Sequence, residues 1–303
     1  MKLYYYRDLR GNFGDDLNPW LWEKLYPEVL TGSDDELFVG IGTLLNHRLP
    51  KGVPKHIFGS GHGYGAQPDL SDGFIFHAVR GPLTARALGL PENLAITDSA
   101  ALIRTVETPR RGGPRAKFGF MPHAASNALF DWSIVCNELQ FLFIDARESV
   151  DKVLERIQAC DVLLCEAMHG AIVADALRVP WIPVTCYDYI LDFKWHDWCH
   201  SIGMEYHPCR ATSLYHAQRN WSIQRRLKSW IKTRACGSGM IDQRRCWDVP
   251  PRKTGRREFR DALQDLRKAS EAPPLLSDDL LIESLTARYV DLLGALKRAH
   301  GHC

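Results

Sequence analysis

The sequence predicts an α/β protein of two Rossmann-like domains facing a shared cleft, followed by a basic, helical C-terminal segment. Three observations carry this. Short apolar runs that end in glycine or a polar turn alternate with helical patterns up to about residue 185. Within "TVETPRRGGPRAK", Pro109, Gly112, Gly113 and Pro114 cluster with charge and no periodicity, which splits the series in two. From Arg210 to Lys268 there are 16 Lys/Arg against 5 Asp/Glu, although the whole chain is nearly neutral at +2. The expected divisions are an N-terminal domain at 1–108, a second at 109–205 and an extension at 206–303.

At 303 residues and 45% hydrophobic composition the chain is long enough to bury a sizeable core. Its start, "MKLYYYRDLRGNFGDD", lacks the apolar stretch of a secretory signal, and no apolar run reaches the roughly 18 residues of a membrane span. A cytoplasmic location is the expectation. Nine cysteines, an odd number scattered from Cys136 to Cys303, read as reduced thiols within the core.

Taken in order, "KLYYY" reads as a first strand, "RDLRGNFGDDLN" as a loop and "PWLWEKLYPEVL" as a helix opened by Pro19. "ELFVGIGTLL", "KHIFGSG" and "GFIFHAVRG" are further strands, "GPLTARALGLP" a helix with Pro82 in its first turn, and "LAITDSAALI" a strand entering a polar turn. The second series gives "KFGFMPH" as strand, "FLFIDA" as strand, "SVDKVLERIQAC" as amphipathic helix, "DVLLCEA" as strand, "GAIVADALRV" as helix and "WIPVTC" as strand. Beyond Cys186 the pattern degrades. "WSIQRRLKSWIK" places Ile223, Leu227, Trp230 and Ile231 on one helical face, and "RRCWDVPPRKTGRRE" reads as an exposed loop. "SDDLLIESLTARYVDLLGALKRAHG" is a terminal helix with Ser277 at its N-cap and a basic last turn.

Ligands bind such sheets at the carboxyl ends of the strands, so the polar residues there are the candidates. In "GNFGDDLNPW", Asn12, Gly14 and Asp15 suit either a loop touching a polar substrate, with Asp15 in acid-base work, or a tight turn with capping aspartates. "FGSGHGYG" brings Gly61 and His62 into a loop able to present N–H groups to an anion, or into a plain flexible connection. Arg80, at a strand end before a proline-started helix, fits a bidentate anion contact or a structural salt bridge to a neighbouring loop. His123 in "GFMPHAAS" takes the matching position in the second half, as a site residue or as a loop histidine satisfied by backbone. The strongest stretch is "CDVLLCEAMHGAIVADALRVPWIPV". Glu166, His169 and Gly170 lie where an apolar strand turns into a small-residue helix, and a histidine there is placed for proton transfer near neutral pH. His196, Cys199, His200, His207 and Cys209 match no standard zinc spacing, and no metal is expected.

Taken together and in order, "NFGDDLNPWLWEKL", "FVGIGTLL", "IFGSG", "VRGPLTARAL", "DSAALI", "FMPHAAS" and "EAMHGAIVADALRVPW" resemble the polysaccharide pyruvyl transferase family, in particular its ketal-forming members of exopolysaccharide synthesis. The resemblance implies a fold like the GT-B glycosyltransferases, phosphoenolpyruvate as donor and co-substrate with no further cofactor, and a hexose of a lipid-linked oligosaccharide or polysaccharide as acceptor. The product would be a cyclic pyruvate ketal. By motif, Arg80 and His169 fall at the donor site. Many members carry an arginine two residues before that histidine; here the position is Ala167, which leaves Arg104, Lys194 or a basic C-terminal residue to hold the donor anion.

The chemistry fits these residue types. Phosphoenolpyruvate carries a carboxylate and a phosphate and calls for cations and N–H donors. Its C3 must gain a proton, a role for His169, while Arg80 clamps the anion and Asp15 or Glu166 deprotonates the sugar hydroxyls. A lipid-linked acceptor lies at the inner membrane surface, where Lys/Arg clusters are held at about 1 kcal/mol per charge, so the basic segment suits peripheral docking or, equally, a solvated helix closing the domain. The competing readings are a GT-B glycosyltransferase using a nucleotide sugar and a non-catalytic carbohydrate-binding or assembly protein. No RNA- or DNA-reading motif accompanies the charge, so nucleic acid is not an expected partner.

Overall fold

In the computed structural model, which describes residues 1–108, 112, 115–216 and 254–301, the strands form two separate, wholly parallel sheets. The first has the order β1-β2-β3-β4, with β1 Lys2–Tyr4, β2 Leu37–Val39, β3 Lys55–Phe58 and β4 Phe74–Ala78. Helices α1 (Phe13–Leu25) and α2 (Glu28–Thr31) connect β1 to β2, and α3 (Pro82–Ala87) follows β4.

The second sheet contains β5 Ala116–Met121, β6 Leu142–Phe143, β7 Cys160–Cys165, β8 Trp181–Thr185 and β9 Cys209–Arg210, in the order β6-β5-β7-β8-β9. Its helices are α4 (Ala124–Leu129), α5 (Ser133–Leu139), α6 (Val150–Gln158), α7 (Met168–Ala176) and α8 (Asp192–Ser201), followed by α9 (Arg256–Ala269) and α10 (Asp279–Ala299). The chain leaves β5 towards β6 on one side and continues from β7 to β8 on the other. That reversal between β5 and β7 is the topological switch point, where the strand ends open a crevice.

Helix α6 shows how the sequence builds the core: Val150, Val153, Leu154 and Ile157, spaced along one face, are all buried. They join a continuous apolar cluster that holds Phe38 and Phe58 of the first sheet, Leu163 and Cys165 of the second, and Trp195 and Trp198 of α8. The terminal helix α10 returns to the first half, where Tyr289 packs on Phe58 with ring centroids 5.2 Å apart and Arg288 donates to the Asn93 carbonyl at 3.0 Å.

Several expected elements are corrected. Pro19 does not open α1; the helix starts at Phe13, capped by Asn12, and Pro19 lies inside it. The Asp15 carbonyl that a residue-19 N–H would have met instead accepts from Asn18 Nδ2 at 3.3 Å, which softens the cost of an internal proline. "LAITDSAALI" is not a strand: it contributes one isolated bridge, Val79 with Ala95, and then a 3-10 helix, Ser99–Thr105. The N-cap of α10 is Asp278, which accepts from Leu281 N at 2.9 Å; Ser277 gives its hydroxyl and its N–H to buried Asp175 instead. The end of the presumed loop "RRCWDVPPRKTGRRE" is already helical, since α9 begins at Arg256, and α4, α5 and α8 were not foreseen. The expected helix "WSIQRRLKSWIK" and residues 109–111, 113 and 114 of the expected linker lie outside the described residues.

Candidate active site

The loops at the carboxyl ends of both sheets meet. Phe13 N donates to the Ala146 carbonyl at 2.7 Å, and Trp20 Nε1 donates to Asp151 at 2.9 Å, tying the start of the first half to the β6–α6 connection of the second. At the switch point stands Glu166, fully buried. Its Oε2 accepts from His123 N at 3.0 Å and Ser126 Oγ at 2.5 Å, and its Oε1 accepts from Cys186 N at 2.8 Å. One carboxylate at the end of β7 thus fastens the ends of β5 and β8 to it, pairing the N–H groups of His123 and Cys186. Burial pushes the Glu166 pKa up, against the pull of these donors.

His169, in the first turn of α7, lies edge-on against the start of α1. A Cβ on Gly14 would sit 2.1 Å from His169 Nδ1, so only glycine at position 14 admits the imidazole. On the other side, His169 Nε2 is 3.6 Å from Asp98 Oδ2. Asp98 is fully buried; its Oδ1 caps the Ser99–Thr105 helix through Ala100 N at 3.0 Å, while Oδ2 has no hydrogen-bond partner and points at the histidine. Gly170, next in the chain, lets α7 press against Met121 and Cys165, a packing role.

Asp15, one turn into α1, accepts from Asn12 Nδ2 at 2.6 Å. Burial is the main cause that raises its pKa to about 6, reinforced by Asp16 and Asp8 and opposed by His169 and Lys194. Asp15 is therefore poised to exchange a proton near neutral pH. His123 caps α4 by accepting from Ala125 N at 3.2 Å through Nδ1, and burial, with Lys194 and His169 nearby, lowers its pKa to about 3. A neutral His123 therefore keeps its proton on Nε2.

Lys194 supplies positive charge that the sequence offered only as one of several options. It lies on α8, only 7% exposed, and donates to the Tyr64 hydroxyl at 3.3 Å. Among the described residues no carboxylate forms an ion pair with it. A buried ammonium without a counter-ion is costly, so the geometry favours an arriving anion. Arg104, another candidate, sits 3.6 Å from Glu283 of α10, and Ala167 brings only a methyl group.

Arg80 is fully buried, and each guanidinium nitrogen has a partner: Nε donates to Asp197 Oδ2 at 2.9 Å, one terminal nitrogen to Thr43 Oγ1 at 2.7 Å and the other to the His62 carbonyl at 2.9 Å. Asp197 also accepts from Thr84 N at 2.8 Å and Thr84 Oγ1 at 2.6 Å. Gly61 makes this possible, since a Cβ there would lie 2.2 Å from the guanidinium carbon. His62 in turn donates from Nδ1 to the Leu45 carbonyl at 2.6 Å. The glycine loop after β3 is thus wrapped around Arg80, and Arg80 fixes α8 three residues beyond Lys194. Of the residues expected from sequence, Asn12, Gly14, Asp15, His123 and His169 are brought together; Gly61, His62 and Arg80 form the adjoining strut. Asp98 and Lys194 are additions to the proton-transfer and charge-bearing groups.

A second opening adjoins His123, a cleft of about 350 Å³ lined by Asp8, Arg10, Gly11, Ala124, Asp145 and Arg147 among others. Its guanidinium groups are paired locally, Arg10 with Asp8 and Arg147 with Asp145, which leaves a polar, nearly neutral wall.

The model of the family described as polysaccharide pyruvyl transferase matches residues 74–189, from β4 to the loop after β8. The chain is 35% identical to the succinoglycan biosynthesis protein ExoV of Rhizobium meliloti over 315 aligned positions, covering 98% of this chain and 99% of that protein. No solved structure matches. Among the described residues no helix is long and apolar enough to cross a membrane.

Proposed function

Since the chain belongs to the polysaccharide pyruvyl transferase family, we propose that it transfers the enolpyruvyl group of phosphoenolpyruvate to a hexose of an exopolysaccharide or lipid-linked oligosaccharide and closes a cyclic pyruvate ketal. The observation that carries the donor assignment is Lys194, a buried ammonium with no carboxylate partner among the described residues, beside Asp15, His123 and His169.

In this reading Lys194 holds an anionic group of the donor. His169, facing Asp98, delivers a proton to C3, and C2 becomes electrophilic. Asp15 in its carboxylate form removes the proton of the first sugar hydroxyl as its oxygen bonds to C2. Phosphate then leaves with the C2–O bonding pair, and a second hydroxyl of the same sugar adds to C2 and loses its proton to complete the ketal. The cleft beside His123 receives the acceptor, whose hydroxyls suit its paired arginines and carboxylates. Arg80 acts at one remove, by setting α8 and so Lys194.

A nucleotide-sugar transferase needs a carboxylate for the donor ribose, and Glu166, the candidate in the second half, spends both oxygens on its own loops. The deciding experiment is incubation with phosphoenolpyruvate and candidate glycosides, with mass spectrometry for a pyruvyl gain and nucleotide sugars as the control. Docking of the basic segment Arg210–Lys268 on an anionic membrane is supported by its charge, and sedimentation with anionic vesicles at low salt tests it; protein left in the supernatant ends that idea.

A further inference from the structure

On a different part of the molecule, Glu36 just before β2, His56 on β3 and His300 just after α10 converge, and one ligand atom from each lies within 4.8 Å of the others. His56 Nε2 is 3.5 Å and His300 Nε2 is 3.2 Å from the same oxygen, Glu36 Oε2. Around a tetrahedral ion with bonds of about 2.0–2.2 Å, neighbouring ligand atoms stand roughly 3.4 Å apart, so these separations are those of ligands sharing one ion.

The hydrogen bonds behind the rings point the same way. His300 Nδ1 lies 3.0 Å from the Leu296 carbonyl, which can only accept, so Nδ1 carries a proton and Nε2, 3.2 Å from Glu36 Oε2, is the nitrogen placed to meet an ion. His56 is 5% exposed, its Nε2 has no hydrogen-bond partner, and its Nδ1 is 3.0 Å from His77 Nε2, with the two rings stacked. A backbone carbonyl behind one ligand and a second imidazole behind another are what outer-shell partners of metal-bound histidines look like.

We infer that Glu36, His56 and His300 bind a divalent transition-metal ion of the zinc class, with His77 as the outer-shell partner of His56, and that the ion staples the end of α10 to the first sheet. Two imidazoles and a carboxylate favour zinc over calcium or magnesium, which take oxygen ligands. The other group of this kind among the described residues, His196, His200 and Glu205, has a His200–Glu205 pair largely open to solvent and no comparable support.

The test uses the full chain without a polyhistidine tag, stripped by chelator, then titrated with zinc by calorimetry and with cobalt by visible absorption. One equivalent should bind with the absorption of tetrahedral cobalt. His300→Ala and Glu36→Gln should each abolish that equivalent, His77→Ala should weaken it by about 10- to 100-fold, and His200→Ala should leave it unchanged. Glu36→Gln keeps shape and volume at a partly exposed position, so the readout survives if a histidine variant folds poorly. Failure of the parent to bind zinc at micromolar concentration overturns the assignment, as does an equivalent that persists in both His300→Ala and Glu36→Gln.

Discussion

Replacing Lys194 with methionine separates an anion-binding role from a structural one, because the two predict opposite effects on stability. Methionine keeps most of the apolar stem and removes the charge. In the folded protein Lys194 is 7% exposed and its hydrogen bond to the Tyr64 hydroxyl is 3.3 Å long, at the long end of the useful range. Loss of so weak a bond costs less than the relief of an uncompensated buried ammonium gains, so chemical denaturation should find Lys194→Met as stable as the parent or more stable by about 1 kcal/mol. Activity should move the other way. A hydrogen bond to a charged group contributes about 1.5–3 kcal/mol, which corresponds to roughly a 10- to 150-fold fall in kcat/KM for phosphoenolpyruvate. The acid limb of the pH profile should also shift upward, since Lys194 is one of the charges that hold the Asp15 pKa down near 6. Activity within twofold of the parent, or a stability loss like that of a broken buried ion pair, would refute the reasoning.

Asp98→Asn should retain its fold, because Oδ1 still caps the Ser99–Thr105 helix, yet lose about 10- to 100-fold in kcat as His169 loses the carboxylate it faces; unchanged turnover in a steady-state assay would remove Asp98 from the mechanism. Asp15→Asn should abolish activity and stabilise the fold. The folded pKa of Asp15 is raised from 3.8 to about 6, so its ionised form opposes folding above about pH 6 and that penalty fades as pH falls to about 4. Thermal melts should therefore show a gain of about 1–2 kcal/mol at pH 7.5, after discounting for partial exposure, and none at pH 4. Arg80→Ala should cost about 3–5 kcal/mol in urea unfolding by leaving Asp197 charged and buried; a loss confined to donor affinity, with stability intact, would return Arg80 to direct anion binding.

The parts of the site legible in the sequence are those fixed by local pattern. A strand that ends in a polar pair and runs into a small-residue helix placed Glu166 and His169 at a carboxyl edge, and the same logic placed His123 at the neighbouring strand. The switch point between β5 and β7 then brings the two together. What the residues do to one another was less legible, because their partners are distant in sequence. Arg80 could not be told apart as clamp or salt bridge until Asp197, 117 residues on, was seen beside it. Lys194 was one of several cations the sequence offered and could not be singled out for a related reason: α8, "DFKWHDWCHS", is wedged between the two halves and buried on several sides, so it shows no clean amphipathic period. Asp98 escaped notice because its segment was read as a strand, whereas the isolated bridge at Ala95 gives way to a 3-10 helix that aims one carboxylate oxygen inward. Asn18 accounts for the misplaced start of α1, since its side-chain amide covers the carbonyl that Pro19 leaves without a donor.

The central claim is that phosphoenolpyruvate is the donor and that its C3 is protonated during transfer. Running the reaction in heavy water with a suitable glycoside and analysing the product by mass spectrometry and NMR tests both at once. A cyclic ketal whose methyl group carries one deuterium per transfer is the predicted result, and its formation should collapse in His169→Ala. A product that gains a hexose from a nucleotide sugar and no pyruvyl group from phosphoenolpyruvate, or a ketal methyl free of deuterium, would contradict it.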